Sequence, residues 1–282
     1  MLIPATMEDI QTYGDSAYAL ARDPAHSCYP TYADGIKTRV DFCKAAEKAL
    51  TQETAELLLF LLEGSVAGWI SYDWIPKDRY LQIDGCNIQR GTAQALSELL
   101  ARLSDRFAGY TAYFGYPAEN HEAIAFLQSN GFQCIEKSWN HVFAFGRAAS
   151  FPCAPNIERI SRRNFQQFRA VYHADSETYW NCDRIFETLD NWIIFVYRKA
   201  DAPMAAIFLS RGSAAYEVFG TVFADNRFQE DVFRDLLAAA LNACREAGAK
   251  HLIYFCEDAQ QHVLAELGFR SIGQYVLYTK TL

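Results

Sequence analysis

The stretch NIQRGTAQALSELL, residues 87–100, is the part of this chain best suited to hold an anion. A helix start leaves backbone N–H groups unpaired and presents the positive end of the helix dipole. Gly91, Thr92 and Ala93, flanked by Gln89, Arg90 and Gln94, could therefore grip a phosphate, and the plain alternative is a helix start with no ligand. Two carboxylates lie on strand-like segments, Asp84 in YLQIDGC and Glu217 in YEVFG. Each could take a proton from a substrate, and each also reads simply as a solvated strand-edge acid. His121, beside Asn120, has the ring of an acid or base, or it faces solvent at the start of a helix.

Other chemistries lack their residues. GSVAG at 64–68 has its serine in the wrong place for a nucleophile elbow, and no phosphate-binding Walker loop or G-x-G-x-x-G occurs. Eight cysteines include no C-x-x-C pair, and Cys134, Cys244 and Cys256 stand in apolar contexts, so reduced, buried thiols are expected. Six histidines show no metal-type spacing with one another or with cysteine, and no metal site is expected. The net charge of −8, without a basic block, argues against nucleic acid or an anionic membrane as the main partner. The run Leu57–Leu62 is too short to span a bilayer. MLIPATMEDIQTYGD lacks the basic and apolar regions of a secretory signal, so a cytoplasmic protein is expected.

The elements that must position these residues occur twice. AIAFLQSNGF (123–132) and HVLAELGF (262–269) each read as a helix ending at Gly-Phe, where glycine can take the left-handed position after the last turn. Strand-like segments follow, QCIEKSWNHVFAF and RSIGQYVLYTKTL. Upstream of the first lie strand 80–88, helix 91–107 and strand 109–117. Upstream of the second lie strand 215–223, helix 230–248 and strand 250–256. Leu96, Leu99, Leu100, Leu103 and Phe107 fall on one face of the first helix. Val232, Phe233, Leu236, Leu237, Ala240, Leu241 and Cys244 do so on the second. Apolar hairpins at 57–72 and 192–210 complete each half. The order strand, strand, strand, helix, strand, helix, strand thus repeats at an offset of about 140 residues. GRAASFPCAPN, 146–156, is the natural linker. Two α/β domains, 1–147 and 148–282, follow, each with a mixed central sheet flanked by helices.

This arrangement resembles the GNAT superfamily of acyl-CoA-dependent N-acetyltransferases, in tandem. In that family a Q/R-x-x-G-x-G/A loop after the fourth strand binds the pyrophosphate of coenzyme A. Gly91-Thr92-Ala93 match its G-x-G/A, with Leu96 at the expected helix position. Ile88 stands where Gln or Arg is usual, with Gln89 and Arg90 adjacent. The resemblance implies acetyl-CoA as co-substrate, lying between splayed strands near Ile83, Asp84, Gly85 and Cys86 and the loop Gln89–Gln94. Asn120 and Ala123 match the family's N-x-x-A-x-x-x-Y helix, but Leu127 replaces its tyrosine acid, and Leu264 does so in the second half. In the second half Phe228, Asp231 and Phe233 take the loop positions with Glu230 alongside, so coenzyme A is expected only in the first. The acceptor implied is a small-molecule or peptide amine, and no catalytic residue can be assigned by motif. A GNAT-like binding or scaffolding protein without activity is the alternative. The aromatic stretches YDWIP (72–76) and ETYW (177–180) line an acceptor pocket or complete a core.

Overall fold

The computed structural model describes all residues except 30–31, 147–149, 153, 174–179, 201 and 213–214, so most of ETYW lies outside the described residues. In chain order the elements begin β1 (Leu2–Pro4), α1 (Met7–Ala21), α2 (Arg39–Thr51), β2 (Ala55–Leu62), β3 (Ser65–Ile75), β4 (Tyr80–Ile88) and α3 (Thr92–Arg106). There follow β5 (Thr111–Pro117), α4 (His121–Ser129), β6 (Gln133–Ala144), β7 (Ile157–Arg159), α5 (Gln166–Arg169) and α6 (Cys182–Glu187). The chain closes with β8 (Trp192–Lys199), β9 (Ala202–Arg211), β10 (Tyr216–Phe223), α7 (Glu230–Glu246), β11 (His251–Cys256), α8 (Gln261–Glu266) and β12 (Arg270–Thr281). Each repeated strand and helix read from the sequence is present.

Two compact units emerge, residues 1–138 with 272–282, and residues 139–271. These are not the successive stretches 1–147 and 148–282. The strand after each Gly-Phe joins the sheet of the unit that does not contain that Gly-Phe helix. In the first unit β12 pairs antiparallel with β5, from Tyr275 opposite Pro117 to Thr281 opposite Thr111. In the second, Trp139–Ala144 of β6 pair antiparallel with β11. Local pattern shows that a strand is there, whereas its partner is chosen by long-range pairing.

In the first unit β1, β2, β3 and β4 pair antiparallel in succession and β4 pairs parallel with β5. One face buries Leu81, Ile83, Ile88 and Phe114 against Leu96, Leu99 and Leu103 of α3 and Leu127 of α4. The other face buries Leu57, Leu59 and Trp69 against Ile10 of α1 and Phe42 of α2. Both helices on that face open with a capping box, Thr6 with Asp9 and Thr38 with Asp41, which satisfies donors at the helix start. The second unit repeats the plan. Its β10–β11 pair is parallel, α7 packs Phe233, Leu236 and Leu237 on one face, and Phe168 and Ile185 of α5 and α6 cover the other.

Candidate active site

The site is built by an irregularity in the β3–β4 pair. Ser71 lies opposite Gly85 and Tyr72 opposite Ile83, so Asp84 is an extra residue on β4. A bulge of this kind re-aims side chains. Before it, Leu81 and Ile83 face α3. After it, Cys86 and Ile88 face α3, and Gly85 and Asn87 turn with Asp84 toward α2. Gly85 has no room for a side chain, because a Cβ there would lie 2.6 Å from the Ser71 hydroxyl.

A cavity of about 250 Å³ opens on that side, with Ser71, Asp73, Asp84 and Asn87 on the sheet and Lys37, Phe42 and Lys48 across from them. Asp84 and Asp73 share a hydrogen bond. Burial, then the neighbouring Asp73 charge, push Asp84 up to about 7. Asp73 is also raised, chiefly by burial, but Lys48 and the proton donated by Asp84 oppose that rise. Asp84 therefore carries the shared proton and Asp73 the charge. Asp84 is half-buried on a central strand and lines the cavity beneath α2, which corrects the strand-edge reading. Glu217 on β10 is half-buried too. Two acids brought together so that one titrates near neutrality is the arrangement a general base needs.

The loop that could hold a phosphate stands at the end of β4. Gly91 caps α3 with φ 75°, and a Cβ on it would come within 3.2 Å of Leu62 and 3.4 Å of Phe60. Both the left-handed backbone and the crowding call for glycine. No side chain caps α3 and no acid lies in its first turn, so no side chain competes with a ligand for the N–H groups there. Ala93 and Gln94 are exposed and Thr92 is buried. Arg90 is exposed, 3.5 Å from Glu63. α7 differs: its first turn carries Glu230 and Asp231. Glu230 is held by Arg234 at 2.9 Å and His262 at 2.8 Å, and Phe233 is fully buried.

Between β4 and β5 the strands splay, since parallel pairing stops at Gln82 and Tyr113. The segment His26–Tyr29 runs into that opening. The Ile88 N–H donates to the His26 carbonyl at 3.0 Å, and the Tyr29 N–H donates to the Gly115 carbonyl at 2.8 Å. Ser27 and Cys28 are buried there. Asn120 holds the segment as well, its side-chain amide donating to the Ser27 carbonyl at 3.0 Å while its oxygen accepts from Ala123 N–H at 3.2 Å. Both ends of the Asn120 carboxamide are thus engaged within the chain.

Of the residues expected from sequence, Asp84 and Gly85 face the cavity and Gln89 to Gln94 surround the helix start. The Ile83 side chain lies in the α3 core, so only its backbone could meet a ligand. His121 is exposed, and Leu127 and Leu264 are fully buried, so neither tyrosine position opens to a site. Tyr72 and Trp74 of YDWIP pack with Phe107 and complete a core. Lys37 and Lys48 belong to no motif, and Asp73 in YDWIP and Asn87 in NIQRG carry no chemical signal of their own. Only the register of β3 on β4 and the docking of α2 bring them to one cavity. Among the described residues no group of three or more His, Cys, Asp or Glu could hold a metal ion, and no helix is long and apolar enough to cross a membrane.

No family model and no curated protein matches the sequence. The fold does match solved structures. A GCN5-related N-acetyltransferase from Sphaerobacter thermophilus superposes with a TM-score of 0.64 at 12% identity, over 99% of this chain and 95% of that one. A tandem GNAT protein from the clavulanic acid biosynthesis pathway gives 0.51 at 15% identity, over 99% and 98% of the two chains. A GCN5-related glucosamine N-acetyltransferase region of a fungal β-N-acetylglucosaminidase gives 0.59 at 10% identity, with 99% of this chain covering 38% of that larger protein. These likenesses span both repeats, and the chain folds as a tandem GNAT protein.

Proposed function

We propose that the chain is an N-acyltransferase that moves an acetyl group from acetyl-CoA to an amine, with the chemistry in the first unit. The observation that carries this reading is Asp84, set beside Asp73 in a cavity next to the splayed strands, where burial and the Asp73 charge push it up to about 7. Acetyl-CoA supplies the activated thioester. The N–H groups of Thr92, Ala93 and Gln94 and the Arg90 guanidinium would hold its phosphates. An acceptor arrives as an ammonium ion, and Asp84 in its carboxylate form takes the proton that must leave before nitrogen can attack. The new C–N bond forms as the C–S bond breaks, coenzyme A leaves as thiolate, and the second nitrogen proton balances it. Holding amine and thioester together supplies the rest of the acceleration.

The second unit offers Glu230 and Asp231 where the first offers Gly91, so it is not assigned a phosphate site. His26–Tyr29 lies where the pantetheine arm would run, and acyl-CoA can reach the thioester position only after that segment leaves. A chain in which it stays put would be a binding protein with the GNAT fold. A cytoplasmic setting belongs to the same reading, since all seven described cysteines are free thiols. Coenzyme A release from acetyl-CoA across an amine panel is the test. Turnover that Asp84→Asn abolishes supports the proposal, and absence of acetyl-CoA binding by calorimetry refutes it.

A further inference from the structure

The cavity carries more than its acids. Lys37 and Lys48 line it and both lower the charge cost at Asp84, yet neither makes an ion pair with a described residue. Asn87 lines it too. That residue is 3% exposed overall. Its NH₂ can give to an anionic oxygen and its oxygen can accept from an ammonium group, so it suits a ligand bearing both.

Charge and size narrow the ligand further. The cavity sets two carboxyl groups, Asp73 and Asp84, against two lysines. A ligand carrying both an ammonium and a carboxylate meets both sets at once and adds no net charge, whereas a plain ammonium ion meets only the acids. A volume of about 250 Å³ lies below the 300–1,000 Å³ of common ligand pockets. That volume suits a group the size of a single amino acid.

We infer that this cavity takes a small amino carboxylate as acceptor, its ammonium on Asp73 and Asp84, its carboxylate on Lys37 and Lys48, and Asn87 between them. The inference rests on the transferase reading for the word acceptor, but the binding it asserts does not require acetyl-CoA.

Calorimetry on the full chain without acetyl-CoA tests it, using the twenty L-amino acids and 4-aminobutyrate at millimolar concentration. The decarboxylated counterpart of each binder is measured beside it, such as phenethylamine for L-phenylalanine or propylamine for 4-aminobutyrate. The carboxylate-bearing member should bind about tenfold more tightly, as two partly exposed charge pairs allow. Lys37→Met with Lys48→Met should erase that preference, and Asn87→Ala should weaken the amino acid while circular dichroism confirms an intact fold. Equal or tighter binding of the bare amine, or no binding by any amino acid, overturns the inference. Coenzyme A release is scored apart. Amino acids that bind without release refute the transferase reading and leave the ligand class standing. Release to bare amines at equal kcat/KM does the reverse.

Discussion

Replacing Asp84 by asparagine should abolish turnover and stabilise the fold at the same time. Asp84 is raised from 3.8 to about 7, and an acid whose folded value exceeds its unfolded value favours folding only while protonated. Its contribution is complete below about pH 4 and is lost as pH rises through 7. At pH 8 the carboxylate is ionised, half-buried and next to Asp73. A rise of about three pH units at roughly 1.36 kcal/mol each makes that cost about 4 kcal/mol as an upper bound. Water reaching the cavity and relaxation of the pair reduce it, so about 2 kcal/mol is the working expectation. Asparagine keeps the shape and can still donate a hydrogen bond to Asp73. The variant should therefore melt about 5 °C higher than the parent at pH 8, with the gain shrinking to under 1 kcal/mol near pH 4. Scanning calorimetry across pH 4–8 reads this directly, alongside coenzyme A release. A variant less stable at pH 8, or equally stabilised at both ends, would falsify the account of Asp84 as a buried acid held ready to accept a proton. Loss of activity with gain of stability is the expected mark of a strained functional group.

The rate at low acceptor concentration should rise with pH through a limb near 7. In Asp73→Asn that limb should move down, since the Asp73 charge is the second cause of the rise after burial, and an unmoved limb assigns it to another group. Hydrogen exchange at the Ile88 and Tyr29 amides, bonded to His26 and Gly115, should be slow in the free chain and should change on addition of acetyl-CoA. No change alongside measured binding would place the cofactor elsewhere. Gly91→Glu should weaken acetyl-CoA binding at least tenfold, through a strained backbone and an anion at the helix start, and calorimetry showing parental affinity counts against the loop. Leu99→Ala, at a fully buried position of α3, should cost about 2–5 kcal/mol by denaturant unfolding, and a change under 1 kcal/mol would contradict the packing of that helix.

The order of elements, both hairpins, the helix faces and the contrast between Gly91 and Asp231 were legible in the residues themselves. Each depends on local periodicity, turn chemistry or the properties of one helix start, which act over a few neighbours. The partners of β12 and β6 were not legible, because strand pairing joins residues far apart in the chain and either strand satisfies the same local pattern. The site was hidden for a related reason. Strict alternation along β4 puts Gly85 and Asn87 on the face opposite to the one they take, and only the register of Tyr72 on Ile83 and Ser71 on Gly85 reveals the extra residue. Asp84 then stands by Asp73 on the α2 face, the bulge brings Gly85 and Asn87 to the same face, and Lys37 and Lys48 are set across from them. Likewise nothing in HSCY marks it as the filling of a splayed sheet, since its bonds to Ile88 and Gly115 exist only after both strands are formed. Sequence by itself determined which elements exist and where an anion could sit. Cross-strand register and docking, which are collective properties of the folded chain, decided which groups share a cavity and what charge they hold there.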